Sequence, residues 1–282
     1  MRLLSWNIQW GRGLDGRVDL ARIARTIRAL GDFDVVCLQE VAIGFAGLAG
    51  SRGEDGIAEL AAGFPDHAAI YAPATDLPDG RGGRKCFGNA ILSRLPIGQV
   101  RRHLLPWPAE PGRPSMQRVL VEAVVDAGIG PLRVMTTHLE YYSQRQREVQ
   151  IDAIRRLHVE ACALSKRPPM AEERGGAFEV FPCPTEAILC GDMNFPAWAG
   201  ERARLIAPFA GGEPGFRDAW EVLHPGKPHA PTVGVHPVDF VDRPECFDFV
   251  FVTDGLAGRL RALEIDAATE ASDHQPVTIE LA

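Results

Sequence analysis

Residues 186–194 read EAILCGDMN, an apolar run of strand character that leads into two polar side chains, Asp192 and Asn194. Other apolar stretches of the chain are bordered by polar residues in the same way. Because strand ends meet at a common rim of a sheet, we expect these side chains to converge on one site. Asn7 follows LLSW, Glu40 follows VVCLQ, His138 follows VMTT, Asp248 lies within CFDFVFV, and Asp273 and His274 precede QPVTIEL.

Strand-like and helix-like patterns alternate from one end of the sequence to the other. Many short strands with a few helices are typical of two sheets packed together with helices outside them, so we expect one α/β (α+β) domain over residues 1–282. Two segments rich in Gly and Pro, residues 72–86 and 166–184, look irregular. The predicted strands cover residues 3–8, 35–39, 89–93, 119–125, 132–138, 186–190, 247–252, 260–265 and 276–281, and the predicted helices cover residues 19–30, 56–62 and 144–165.

The composition is that of a globular enzyme rather than of a protein that coats long nucleic acids. The 282 residues carry a formal net charge of −7 and a pI near 5.6, whereas broad binding to phosphate backbones favours a basic chain. We find no secretory signal, no membrane-spanning run and no feature that implies a protein partner, which predicts a cytoplasmic location. The six cysteines form no C-x-x-C pair, so buried reduced thiols are expected.

Three of the residues at the predicted rim suit a divalent metal ion. Mg²⁺, with Mn²⁺ as the alternative, prefers oxygen ligands, usually one or two carboxylates completed by water and substrate phosphate. Glu40, Asn7 and Asp273 supply such oxygens. No cluster of histidines or cysteines favours a dedicated zinc site.

The remaining rim residues suit hydrolysis of a phosphate ester. This chemistry needs a base for the attacking water and hydrogen-bond donors to the phosphate oxygens. Asp192 is the natural base, and the amide of Asn194 is a candidate donor. His274 is a second candidate donor of a proton or hydrogen bond, and a carboxylate such as Asp248 would hold its tautomer.

The strings SWNIQWG, LQEV, FGNAILSR, THLE, GDMN, FDFVFV and SDHQPV occur in this order and extend over nearly the whole chain. They resemble the motifs of the endonuclease/exonuclease/phosphatase superfamily, the relatives of deoxyribonuclease I. The resemblance implies a four-layer α/β sandwich, in which two mainly antiparallel sheets are flanked by helices and the active site lies at one rim. It implies Glu40 as the principal metal ligand with Asn7 and Asp273 nearby, Asp192 as the residue that activates water, Asn194 as the phosphate-binding amide, His274 with Asp248 as the catalytic pair, and His138 near the phosphate.

Two positions depart from the pattern of these relatives. Gln9 stands where some DNA-repair relatives carry an aspartate, which leaves one or two metal ions as alternatives. Cys246 stands where many relatives have a basic residue.

Two arginines are weaker candidates for substrate binding. Arg84 lies with Arg81 and Lys85 in a Gly-rich stretch, where the three form either a phosphate-steering patch or an ordinary solvated loop. Arg118 begins a predicted strand and is expected to point into the cleft.

Three functions fit these observations. The first is a nuclease or DNA-end-processing phosphodiesterase acting on DNA or RNA, and the second is a phosphatase or phosphodiesterase of small molecules or lipid head groups. An inactive binding module is the third, but competent side chains at all eight rim positions disfavour it. Residues 166–184 lead into the strand that carries Asp192, so we expect them either to narrow the cleft or to serve as a solvated spacer.

Overall fold

The computed structural model describes residues 1–168, 170, 173, 176–179 and 181–282. Within these residues, no helix combines the length and the apolar character that a membrane crossing requires. The strands are β1 (Arg2–Asn7), β2 (Val35–Ile43), β3 (Ala68–Pro78), β4 (Arg84–Ser93), β5 (Ile97–Leu104), β6 (Val119–Asp126), β7 (Pro131–His138), β8 (Ala187–Asp192), β9 (Phe216–Asp218), β10 (Asp248–Thr253), β11 (Leu260–Ile265) and β12 (Val277–Leu281). The helices are α1 (Leu20–Leu30), α2 (Gly56–Gly63), α3 (Gln144–Ser165), α4 (Gly200–Ile206), α5 (Ala219–Leu223) and α6 (Asp254–Ala257).

The strands form two six-stranded sheets. The first has the order β11-β12-β1-β2-β4-β3, and the second has the order β5-β6-β7-β8-β10-β9. Strands β1 and β2 run parallel, as do β7 and β8, while the other neighbouring strands are antiparallel. The expected pair of mainly antiparallel sheets is therefore confirmed.

Apolar side chains fill three interfaces and so define four layers. The central interface joins the sheets, because Leu3 and Ile91 of the first sheet belong to the same buried cluster as Val134 and Ile188 of the second. Outside the first sheet, α1 buries Ile23 and Ile27 in a cluster that includes Leu4, Trp6 and Leu38. Outside the second sheet, α3 buries Ile151 and Ile154 in a cluster that includes Met135 and Leu189. The predicted four-layer sandwich is confirmed.

The two parallel strand pairs deliver polar side chains to the same rim. Asn7 ends β1 and His138 ends β7, and parallel pairing sets His138 directly beside Asp192 at the end of β8. Antiparallel pairing in turn sets Asp248, the first residue of β10, opposite Asp192. The rim predicted from the sequence thus follows from strand register.

The prediction that residues 72–86 are irregular is wrong. Strands β3 and β4 pair from Ala68↔Ser93 to Pro78↔Arg84, and the irregular backbone is confined to residues 79–83. Because β3 is an edge strand of its sheet, it accommodates Pro73 and Pro78, although its pairing with β4 shifts register between Pro73 and Thr75. Strand β5, also at an edge, has a half-polar sequence that periodicity did not single out.

Residues 166–184 lie partly outside the described residues. The predicted role of this segment beside the cleft therefore stays a prediction.

A buried ion-pair network fastens α3 to the second sheet. Arg133 is fully buried, and its guanidinium lies 3.3 Å from Glu122 and donates to Nδ1 of His158 at 2.6 Å. The other ring nitrogen of His158 donates to the carbonyl oxygen of Pro214 at 2.9 Å. Burial and the charge of Arg133 lower the pKa of His158 from 6.5 to about 4, so the ring is neutral in the folded protein near pH 7.

Acid is expected to destabilise the protein through His158. Because the folded pKa lies below the unfolded value, the stability that this neutral ring contributes is present above pH 6.5 and is lost as the pH falls towards 4. The resulting decrease in the free energy of unfolding approaches about 3 kcal/mol. Chemical denaturation should therefore show a free-energy gap between the natural protein and His158→Gln that narrows from pH 7.5 to pH 4.5, and a constant gap would contradict this account.

Candidate active site

Seven of the predicted site residues line one cavity at the rim, with a volume of about 240 Å³. Asn7 and Asp248 lie directly behind it and bind cavity residues through hydrogen bonds. The seven are Glu40, Arg118, His138, Asp192, Asn194, Asp273 and His274.

Asp192 is the centre of the hydrogen-bonded group. The backbone N–H of Asn194 donates to its Oδ1 at 2.9 Å, and Nδ2 of Asn7 donates to its Oδ2 at 2.9 Å. The residue before it must be glycine, because Gly191 has a φ of 134° and a Cβ there would lie 2.0 Å from the carbonyl oxygen of Thr137. The sequence GDM therefore fixes the backbone that holds this carboxylate.

Glu40 reaches the cavity from an irregularity in β2. Its φ of 58° lies in the left-handed region, and the pairing of β2 with β4 shifts register between Leu38 and Val41. The bulge turns the side chain towards Asn7, whose Nδ2 donates to Glu40 Oε1 at 3.2 Å.

Asn7 presents its amide nitrogen to the carboxylates. Its Oδ1 accepts from the backbone N–H of Gln9 at 3.1 Å, while Nδ2 lies between Glu40 and Asp192. The structure thus shows Asn7 as a donor that joins two carboxylates, and its predicted role as a metal ligand stays a prediction.

His274 and Asp248 form the pair expected from the sequence. Nδ1 of His274 lies 2.8 Å from Oδ2 of Asp248, and Nε2 points towards Asp192, whose Oδ2 is 3.7 Å away. Two anchors hold the pair: Thr232 Oγ1 accepts from the backbone N–H of Asp248, and Trp6 donates to the carbonyl oxygen of His274. The imidazole is fixed with one nitrogen free to face a substrate.

Asp273 and His138 complete the polar wall. Gln9 donates through Nε2 to Oδ2 of Asp273 at 2.5 Å. His138 lies between two carboxylates, with Nε2 at 3.4 Å from Asp192 and Nδ1 at 3.8 Å from Glu40.

Burial and the closeness of other charged groups shift the pKa values of the acidic residues and of His274. Burial raises the pKa of Glu40 to about 7, with the charge of Asp273 adding to the rise. Burial also raises the pKa of Asp192 to about 6 and that of Asp273 above its usual range. Burial disfavours protonated His274, yet the charges of Asp248 and Asp192 outweigh it and raise the pKa of this imidazole well above its ordinary value.

His138 is shifted in the opposite direction. Burial, together with the charges of Arg118 and His274, lowers the pKa of His138 well below its ordinary value. The two histidines of the site therefore differ in charge, and neutral His138 lies between Glu40 and Asp192.

The donor set fits a hard divalent cation. Of the described residues that line the cavity, Arg118 is the only arginine or lysine, and its Nε is paired with Glu140 at 3.3 Å. Glu40 and Asp273 accept hydrogen bonds from the neutral amides of Asn7 and Gln9 rather than from an arginine or lysine, and burial is the main cause of their raised pKa values. Oxygen ligands of this kind suit Mg²⁺ or Mn²⁺.

Among the described residues, Asp192, Asp248 and His274 form a group of three whose ligand atoms lie within 4.8 Å of one another. In this group Nδ1 of His274 is already engaged by Asp248, which leaves Nε2 as the nitrogen that could bind an ion. We therefore favour Glu40 and Asp273 as the metal-holding side and the His274–Asp248 pair as the proton-handling side.

The two predicted substrate-binding arginines differ in position. Arg118 is buried and lines the cavity. Arg84 is not among the lining residues, and its exposed guanidinium pairs with Asp76 at 2.8 Å. The position of Arg118 in the cavity supports its predicted role in substrate binding. The position of Arg84 gives no such support.

Several lining residues were not selected from the sequence. Tyr141 and Tyr142 directly follow THLE at the end of β7, which is the one sequence signal that pointed to them. Glu140, within the same motif, was missed as the partner of Arg118. Trp10 and Phe87 lie within the strings SWNIQWG and FGNAILSR but were not selected as site residues, and Met116 and Phe240 carry no signal in the sequence.

Comparison with known proteins places the chain by both sequence and structure. The model of the Endonuclease/Exonuclease/phosphatase family matches residues 4–274. No curated protein matches the chain. An endonuclease/exonuclease/phosphatase from Beutenbergia cavernae has 25% sequence identity and a TM-score of 0.66, with 99% of this chain and 70% of that chain covered.

Two further solved structures share the fold at lower identity. The mannosyl-6-phosphatase Bt3783 of Bacteroides thetaiotaomicron has 16% identity and a TM-score of 0.66, covering 100% of this chain and 99% of that one. D. rerio TDP2 complexed with single strand DNA product has 21% identity and a TM-score of 0.62, covering 99% and 97%. With the family model spanning nearly the whole sequence, the chain belongs to the endonuclease/exonuclease/phosphatase family of metal-dependent phosphoester hydrolases.

Proposed function

We propose that the chain uses Mg²⁺, with Mn²⁺ as the alternative, to hydrolyse a phosphodiester at the end of a nucleic-acid strand. One observation carries the proposal: Asp192 lies within 3.7 Å of both His138 and His274 in a cavity that it shares with Glu40 and Asp273. A base, a donor and oxygen ligands for a cation thus meet around a space of phosphate size.

Glu40 and Asp273 would hold the metal ion, with Asn7 beside them. When bound, the ion neutralises charge on the phosphate and orients it for attack. This assignment agrees with the hydrogen-bond partners of the two carboxylates, which are the neutral amides of Asn7 and Gln9 and the hydroxyl of Ser272.

Asp192 is placed to accept the proton of the attacking water. Its two oxygens are held by Asn194 N–H and Asn7 Nδ2, which keep the carboxylate aimed into the cavity. As the water oxygen bonds to phosphorus, the opposite P–O bond breaks and the leaving oxygen takes up a proton. His274 donates to the charge that develops on the phosphate, and Asp248 keeps Nδ1 fixed so that Nε2 faces it.

The size of the cavity and the net charge of the chain support an enzyme that acts at the ends of nucleic-acid strands. A volume of about 240 Å³ holds one terminal phosphate with an adjoining group, and a net charge of −7 disfavours contacts along a long duplex. A cavity of this volume also suits a small-molecule phosphate ester, which is the second candidate. Proteins named as a mannosyl-6-phosphatase and as TDP2 both share the fold, so the fold supports the two candidates equally.

A substrate panel is expected to separate the candidates. With Mg²⁺ or Mn²⁺, kcat/KM should be higher for esters at single-stranded DNA or phosphotyrosyl-DNA ends than for inositol phosphates, a sugar phosphate or sphingomyelin. Asp192→Asn serves as the inactive control. Turnover of the small molecules alone would favour the second candidate, and no turnover of any ester with either metal would overturn the proposal.

A further inference from the structure

The cavity has a second wall that the proposed chemistry does not use. It consists of five aromatic side chains, which we term the aromatic wall: Trp10, Phe87, Tyr141, Tyr142 and Phe240. They come from four parts of the chain, namely the turn after β1, strand β4, the end of β7 and the loop before β10. Aromatic surface gathered from four elements beside a polar site is not accounted for by catalysis.

None of the five rings of the aromatic wall is buried in the core, and Tyr142 is 51% exposed. The ring of Tyr141 contacts those of Tyr142 and Phe240, so these three form a continuous apolar surface. Apolar surface of this kind beside a polar cavity often marks a ligand-binding site. The exposed rings therefore favour a ligand at this face of the cavity.

The rings are held in place by specific contacts. The hydroxyl of Tyr141 donates to the carbonyl oxygen of Phe240 at 3.0 Å, and the two rings meet edge to face with centroids 6.3 Å apart. The indole N–H of Trp10 donates to the carbonyl oxygen of Ala49 at 3.0 Å. Rings fixed before a ligand arrives lose little freedom on binding it.

The aromatic wall begins at the reacting centre. The ring of Phe240 stacks on His274 with a centroid distance of 6.0 Å and an interplanar angle of 16°. A group bound against this wall would lie next to a phosphate held beside His274. This continuity with the catalytic residues favours part of the substrate as the occupant.

We propose that the aromatic wall binds a planar, largely apolar ring next to the scissile phosphate, either a nucleobase or an aryl ester group. This inference rests on the proposed function and narrows its substrate class. Planar rings gain from stacking on aromatic side chains whatever their hydrogen-bonding pattern. The volume of about 240 Å³ holds one such ring with its phosphate.

Binding of non-hydrolysable phosphonates tests the inference without turnover. Calorimetry with Mg²⁺ should show that phenylphosphonate binds about tenfold more tightly than methylphosphonate, as one aromatic stack predicts. Cyclohexylphosphonate, of similar size but not planar, should bind less tightly than phenylphosphonate. A nucleoside phosphonate distinguishes a nucleobase from an aryl ester group as the natural occupant. Binding tighter than that of phenylphosphonate indicates a nucleobase, and weaker binding indicates an aryl ester.

Variants locate the preference on the aromatic wall. Tyr142→Ala should remove most of the preference for phenylphosphonate and leave methylphosphonate binding unchanged, while Tyr142→Phe should retain the preference. Trp198→Ala is the matched control, because Trp198 is 73% exposed and does not line the cavity. If methylphosphonate binds and the phenyl group adds nothing, the inference is overturned and the proposed function stands. If no phosphonate binds and no ester is cleaved, the proposed function itself fails.

Discussion

Replacing Asp192 by asparagine is expected to lower kcat by about 10²–10⁴, the usual loss when a general base is removed. Asparagine keeps the shape of the side chain but cannot accept the proton of water. Substrate binding should change little, because the remaining cavity residues are untouched. Steady-state kinetics on the best substrate of the panel, with kcat and KM separated, measures the effect.

Asp218 provides a matched control for this variant. It is also a buried aspartate, but it binds Arg202 and His229 and does not line the cavity. Asp218→Asn should reduce thermal stability and leave kcat near normal at low temperature. Near-normal turnover in Asp192→Asn would exclude Asp192 as the base.

Loss of metal binding is the expected result of Glu40→Gln. Substituting a group that merely orients a metal ligand typically costs about 10–100-fold in affinity, and removal of a direct ligand should cost at least as much. Titration calorimetry with Mg²⁺ or Mn²⁺ measures this without any substrate.

Stability in the absence of metal distinguishes this effect from misfolding. Glu40 is close enough to Asp273 for the two charges to repel, so the neutral amide should leave the melting temperature without metal unchanged or higher. Glu59→Gln, on the exposed side of α2, is the surface control. Unchanged metal affinity in Glu40→Gln would rule out Glu40 as a ligand.

The site was largely predictable because strand ends carry its polar residues. Apolar periodicity locates β8 and hence Asp192, and the register of β7 beside β8 then brings His138 next to it. The short hydrogen bond between Asp248 and His274 agrees with the pairing expected from the motifs. The position of a residue along a strand depends on its neighbours in the sequence, so it can be predicted from the sequence alone.

What the sequence did not reveal depends on contacts between distant segments. The Nδ2 atom of Asn7 lies between Glu40 of β2 and Asp192 of β8, which are far from it in the sequence. Phe240 lies in a loop whose position beside His274 follows from tertiary packing. Arg84 was a candidate for phosphate binding in the sequence, but in the structure it forms an ion pair with Asp76 of β3. Side-chain pairing across loops has no periodic signature.

The position of β1 also determines when the enzyme becomes active during its synthesis. This strand lies between β2 and β12, and Arg2 pairs with Glu280 near the other end of the chain. The ribosome adds roughly 5–20 residues per second. One edge of β1 therefore stays unpaired for tens of seconds, until β12 has been synthesised. The nascent chain therefore carries an open strand edge that invites association with other chains, and His274 joins the group around Asp192 only after the segment before β12 has been synthesised. A ribosome-bound fragment that ends before His274 should lack hydrolytic activity.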